Sequence, residues 1–194
     1  MANTHTNPNP NPSTLYVIGE NYYGQLGRVS IGDMQSVLST LPSDITHVYF
    51  GKDFSLFRDT HNNHYSAGYN NEGSCATLKT VKNNAFLPFS PLSFPTHMHV
   101  RVCKVCVNVS AQSVFWITDS HRIFGNGNNR KSQLGLGNGN DSSLNALKLI
   151  PFFDAQTLII DIQASNEYSL ALSLPNNICV SLIREWTIFT HEQI

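Results

Sequence analysis

Gly19-Glu20-Asn21-Tyr22-Tyr23-Gly24-Gln25-Leu26-Gly27 is the stretch that decides the fold, because the chain writes it twice more in altered form. The second copy is Gly68-Tyr69-Asn70-Asn71-Glu72-Gly73-Ser74-Cys75, and the third is Gly127-Asn128-Asn129-Arg130-Lys131-Ser132-Gln133-Leu134-Gly135. The lead glycines stand 49 and 59 residues apart. A period near 50 residues is the signature of a solenoid or propeller array. Glycine suits a sharp strand exit, where φ is positive or another backbone comes close. Asn21, Asn70 and Asn129 can bond their own backbone and tolerate left-handed geometry. Leu26 and Leu134 are expected as inward plugs beneath the corners.

Outward from these segments the chain alternates strand and turn signals. Leu15–Ile18 is apolar and partly β-branched, stopped by Gly19. Ile45–Phe50 predicts a strand broken by Gly51-Lys52-Asp53, then Phe54–Phe57, a turn over Asp59–Asn63 and a return over His64–Ala67. The order recurs with Val100–Val109, Val114–Ile117, the turn Asp119-Ser120-His121 and Arg122–Phe124. It recurs again with Leu158–Ile162, Tyr168–Leu172, the turn Pro175-Asn176-Asn177 and Ile178–Val180. No long helical stripe interrupts this rhythm, so the expected class is all-β.

The bulk numbers narrow the function. The 194 residues are 41% hydrophobic and 13% charged, with 12 Lys+Arg against 13 Asp+Glu and a net charge of −1. No basic surplus is present to neutralise a phosphate backbone, so binding of nucleic acid or chromatin through net charge is disfavoured. No apolar run approaches the roughly 18–20 residues that span a bilayer. Residues 1–14 are polar and rich in Asn-Pro, and are expected to form a disordered leader. Without a secretory layout, Cys75, Cys103, Cys106 and Cys179 are expected as reduced thiols in an intracellular protein, cytoplasmic or nuclear. The sequons at Asn108 and Asn140 are then chance matches.

The repeated segments resemble the RCC1 (regulator of chromosome condensation) repeat family, whose repeat pairs G-x-N-x-x-G-Q-L-G with a later G-x-x-H-S-x-x-L strand. Gly19–Gly27 matches the first element fully, Gly127–Gly135 has Ser132 in place of a glycine, and Gly68–Cys75 keeps the opening half. The second element is matched to Gly51–Leu56, Ala111–Trp116 and Ser165–Leu170, with Phe54, Val114 and Tyr168 at the family's histidine. The resemblance implies blades of four antiparallel strands, seven to a closed ring. Three divergent repeats are expected here, with bounds near 15–64, 65–122 and 123–180. Residues 181–194 look like a non-repeat tail. The expected architecture is therefore a partial β-propeller: a fragment, an arc completed by another chain, or an open array. Such an array should leave one blade face and its strand edges exposed.

Candidate chemistry is sparse. Cys103-x-x-Cys106 lies near His97 and His99, but residues three apart on a strand point to opposite faces, which argues against zinc. Gly125–Arg130 begins like a dinucleotide fingerprint, and Gly135-Leu136-Gly137-Asn138-Gly139 resembles it less; neither is followed by a helix pattern. Asp119-Ser120-His121 holds triad residue types as neighbours in one turn, not as a convergent triad. His61 and His64 are expected to be solvated, and Trp116 and the phenylalanines to be core. No catalytic, cofactor-binding or metal-binding residue is assigned. The function expected is a non-catalytic protein-interaction module, with Arg28–Asp44, Thr77–Met98 and Asn138–Pro151 as its variable recognition stretches. The resemblance also implies two alternatives. One is a guanine-nucleotide exchange factor for a small GTPase, as the family's founding member is for Ran. The other is the regulatory propeller of a ubiquitin ligase or kinase.

Overall fold

The chain builds strands where β-branched and aromatic residues run between tight turns, and the computed structural model places fourteen of them among its described residues. It describes residues 16–17, 19–27, 39–40, 44–76, 86–91, 101–110, 112–136, 142–151, 158–165, 168–174, 179–182 and 186–189. The leader, residues 1–14, lies outside them.

A two-stranded ladder pairs β1 (Tyr16–Val17) with β2 (Ser39–Thr40). Sheet A then runs β3 (Ile45–Phe50), β4 (Phe54–Asp59), β5 (His64–Tyr69) and β6 (Phe86–Pro91). Sheet B runs β7 (Val102–Asn108), β8 (Ser113–Thr118), β9 (Ile123–Gly127) and β10 (Leu144–Leu149). Sheet C runs β11 (Leu158–Ala164), β12 (Ser169–Leu174), β13 (Cys179–Leu182) and β14 (Trp186–Phe189). Every pairing is antiparallel between chain neighbours. The first strands meet, β7 against β11 and β3 against β7, so the sheets fan out from a common side. This is a partial β-propeller.

The three glycine segments fold alike. Asn21, Asn70 and Asn129 each accept, at Oδ1, the backbone N–H five residues on: Leu26 at 2.9 Å, Cys75 at 2.7 Å and Leu134 at 2.8 Å. Two further turns close each corner, Gly24 N–H to Asn21 and Gly27 N–H to Gly24 in the first copy. The left-handed positions survive loss of glycine. Ser132 at φ +58° stands where Gly24 and Gly73 have +73° and +80°, and Ala76 at +48° where Gly27 has +78°. At Gly68 and Gly127, with φ of +109° and +95°, a Cβ would also run into the carbonyls of Asp53 and Gln112. Only glycine fits both demands.

Each corner wedges a gap between sheets. Leu26 packs with Ile45, Phe57 and Ala67 of sheet A. Cys75 and Ala76 sit between Phe54 and Leu56 of sheet A and Val105, Val114 and Trp116 of sheet B. Leu134 and Leu136 sit between Phe115 and Ile117 of sheet B and Ile159, Ile162 and Ala171 of sheet C. β8 is therefore buried on both faces, and each large side chain so covered contributes roughly 1.5–3 kcal/mol. Buried Asn126 ties the second corner to sheet B. It accepts from Trp116 Nε1 at 2.7 Å and donates to the carbonyls of Gly73 and Ser74 at 2.8 and 2.9 Å.

Three expectations change. Residues 181–194 do not all lie apart as a tail: they supply the end of β13 and the β-prone run Trp186–Phe189, which pairs with β13 as the fourth strand of sheet C. The stretches expected as variable recognition loops hold β2, β6 and β10. β6 contains Pro88 and Pro91, which an edge strand tolerates because its outer N–H groups have no ladder partner. The second-element match in sheet B also shifts by one residue. Tyr69 N–H bonds Asp53 as Asn128 N–H bonds Gln112, so Ser113, not Val114, corresponds to Phe54. The turn from β7 to β8 is one residue longer than that from β3 to β4.

Gly127→Ala is expected to lower unfolding free energy by about 2 kcal/mol or more, through strain and displaced backbone. Asn126→Leu should cost a similar amount by leaving the Trp116 N–H and two buried carbonyls without their bonds. Urea denaturation followed by tryptophan fluorescence measures both, with Lys52→Ala on the exposed turn as a silent comparison.

Candidate functional site

At the strand ends away from the glycine corners, sheets A and B part to leave a cavity of about 490 Å³. β3 brings Thr46 and His47 to it, β4 brings Arg58 and Asp59, the following turn brings Thr60 and Asn62, and the start of β7 brings Arg101, Val102 and Cys103. Asn62 sits at φ +64°, and its amide reaches the Val102 backbone at 3.2 and 3.3 Å, joining the turn of sheet A to sheet B.

Asp59 is fully engaged by its own turn. Its carboxylate accepts from the His61 and Asn63 N–H groups at 2.9 and 2.7 Å, from Asn63 Nδ2 at 2.8 Å and from Tyr65 Oη at 3.1 Å. Burial alone would raise its pKa; the bonds from Asn63, Tyr65 and His61 outweigh that and hold it below the usual carboxylate range. Arg58 Nη2 lies 2.7 Å from the His47 ring nitrogens. Desolvation and the Arg58 charge both lower the His47 pKa, so the neutral ring accepts from the guanidinium. Arg101 is exposed. Among the described residues, neither arginine forms an ion pair with a carboxylate. Arg58 and Arg101 thus line one cleft, and guanidinium groups are suited by shape and charge to carboxylates and phosphates.

The residues singled out in sequence are scattered. Cys103 is exposed on β7, whereas Cys106 is partly buried with its Sγ 3.9 Å from Asp161 Oδ1 and its pKa pushed up to about 11 by burial. His97 and His99 lie outside the described residues. Asp44, Asp59 and His61 come within 4.8 Å of one another, but the Asp59 oxygens are committed to the turn. Gly125–Arg130 forms the end of β9 and the third corner, where Asn126 serves packing. Residues 137–139 of the other glycine-rich stretch lie outside the described residues. Asp119, Ser120 and His121 form an exposed turn in which the Ser120 hydroxyl bonds Thr118 at 3.0 Å. His64 is not solvated: it is 3% exposed, edge-on to Trp116 with ring centroids 5.4 Å apart. As the first residue of β5 it faces the gap between sheets A and B. Sequence reasoning passed over Arg58, Asn62 and Arg101. Only Arg58 carried a signal, as a charge in the otherwise apolar run Phe54–Phe57 and beyond.

No family model and no curated protein sequence matches the chain. Solved structures do match its fold. Human WBSCR16 aligns with a TM-score of 0.71 at 17% identity, over 92% of this chain and 48% of that one. Prp20p from Saccharomyces cerevisiae, described with its binding to Gsp1p and histones, aligns at 0.75 and 14% identity over 92% and 46%. Yeast RCC1 (Prp20) bound to Kap60 aligns at 0.70 and 15% identity over 87% and 39%. The chain thus spans half or less of the length of these RCC1-family propellers.

His64 sets a pH dependence. Burial, then the Arg58 charge, lowers its pKa from 6.5 to about 4. Below pH 6.5 the unfolded chain takes up a proton that the folded chain refuses, so stability is full above 6.5 and falls towards pH 4. The loss at pH 4.5 should be about 2–3 kcal/mol. Urea midpoints between pH 7.5 and 4.5 measure it, and His64→Leu should flatten the profile over that window.

Proposed function

We propose that this chain is a non-catalytic protein-interaction module whose cleft between sheets A and B takes an acidic segment of a partner protein. One observation carries this reading: Arg58 and Arg101 line one cavity and pair with no carboxylate among the described residues. His47, kept neutral, orients Arg58 without competing charge. Thr60 adds a hydroxyl to the lining, whereas Thr46 spends its hydroxyl proton on the Arg58 carbonyl at 3.1 Å. Rigid strand ends hold the site, which lowers the ordering cost of binding.

A second reading, nucleotide exchange on a small GTPase, is favoured by the likeness to Prp20p, described as binding Gsp1p. At 14% identity that likeness concerns the fold, so no exchange residue is assigned. Release of labelled nucleotide from small GTPases tests it directly; acceleration by the chain would support exchange, and unaltered release would remove it.

For the acidic-segment reading the probe is a fluorescein-labelled oligoglutamate peptide followed by anisotropy. Binding should weaken as salt rises, and Arg58→Glu combined with Arg101→Glu should weaken it at least tenfold with the fold unchanged. Binding that ignores both the salt and the charge reversal would contradict the proposal.

A further inference from the structure

β12 is built inside out. Ser169, Ala171 and Ser173 are buried, while Leu170, Leu172 and Leu174 stand 37, 39 and 40% exposed. An antiparallel sheet with one wet face puts its polar residues on that face, and here the leucines take it. The pairing of Leu158 with Leu174 and Gln163 with Leu170 extends the same face onto β11, where Ile160 is 40% exposed. Asp161, displaced by the bulge after Ile159, reaches back to Lys104 of β7 at 2.6 Å. The register sets Asp161 opposite Leu172, so the one carboxylate among the described residues of this face is neutralised within the chain by Lys104.

In the other sheets this face is covered. The Ser165 N–H bonds Tyr168 as the Gly51 N–H bonds Phe54, which makes Leu170 the counterpart of Leu56 and of Phe115, both fully buried. Those two lie beneath a glycine corner and the following sheet. The corner occupies the 16 residues between β5 and β6 and the 16 between β9 and β10, but only three residues join β13 to β14. Among the described residues, no corner covers the outward face of sheet C.

We propose that a second copy of this chain covers this face, packing sheet C against sheet C about a two-fold axis at Leu172. The row suits such a contact because it is symmetric: with Leu172 on the axis, Leu170 of one copy meets Leu174 of the other, as an isologous interface requires. A face whose one described carboxylate is already paired with Lys104 can also oppose itself with little repulsion. Four strands about 4.8 Å apart and four to seven residues long make a patch of roughly 20 Å or less on a side. That lies at the small end of stable interfaces, near or below ~800 Å² per partner, and implies a reversible dimer of micromolar affinity.

Sedimentation velocity on the full 194-residue chain between about 1 and 200 μM tests this. The mass should move from 21.6 kDa towards twice that value as concentration rises. Leu172→Lys should hold the chain monomeric throughout, with near-ultraviolet circular dichroism unchanged because the side chain faces solvent in the single copy. Leu174→Gln should weaken the dimer at least tenfold, and decides the matter if the lysine variant does not fold. Phe50→Lys, which removes an exposed aromatic from sheet A, should leave the dimer intact. A chain monomeric over the whole range, open-ended assembly, or a dimer indifferent to Leu172 and Leu174 would overturn the proposal.

Discussion

One local device sets the spacing of the sheets: a corner in which an asparagine side chain accepts the backbone N–H of the plug residue five positions on. Leu26, Cys75 and Leu134 are fixed this way. The bond turns a short irregular segment into a rigid wedge, and the plug it presents is too apolar to sit anywhere but between sheets. A buried loop would ordinarily carry unsatisfied backbone groups. Here the asparagine, two successive turns and, in the first and third copies, a glutamine side chain absorb them. Neighbouring sheets then meet through the wedge, with Asn126 and Ser74 adding bonds that cross from corner to sheet.

This arrangement separates two ends of the molecule. At the corner end the wedges contact one another: the Tyr23 and Tyr69 rings lie 4.9 Å apart, and Arg130 reaches Glu72 at 3.3 Å. One ion pair therefore links the second corner to the third. At the opposite end none of the described residues fills the space between sheets A and B, and the cleft there is lined by arginines without carboxylate partners among them. The packing that fixes the fold at one end leaves, at the other, the gap proposed as the binding site. The buried His64 lies between, under Trp116, and couples the stability of that gap to protonation.

Much of the fold was legible because the wedge is written locally. Gly19–Gly27 carries every group the corner needs, and the later copies keep the asparagine even where Ser132 and Ala76 replace glycine. The first three strands of each sheet follow from short β-prone runs between turn residues. The fourth strands did not announce themselves: Phe86–Pro91 contains two prolines, and Leu144–Leu149 mixes leucine with Asn145 and Lys148. Edge strands are held by pairing more than by burial, so their sequences are loosely constrained. The cleft was less legible still. Arg58 and Arg101 are 43 positions apart, and only the meeting of β4 with the start of β7 brings them together. His64 was misjudged for the same reason, since a polar turn in sequence becomes an interface once sheet B packs against it.

The central claim is that the corners are structural wedges and not surface loops, and native-state amide hydrogen exchange tests it most directly. The Leu134 and Cys75 N–H groups, bonded to Asn129 and Asn70, should exchange as slowly as those of Phe115 and Trp116 in β8, through unfolding of the whole array. Exchange at these two amides at the rate of an open loop, with β8 still protected, would contradict the account.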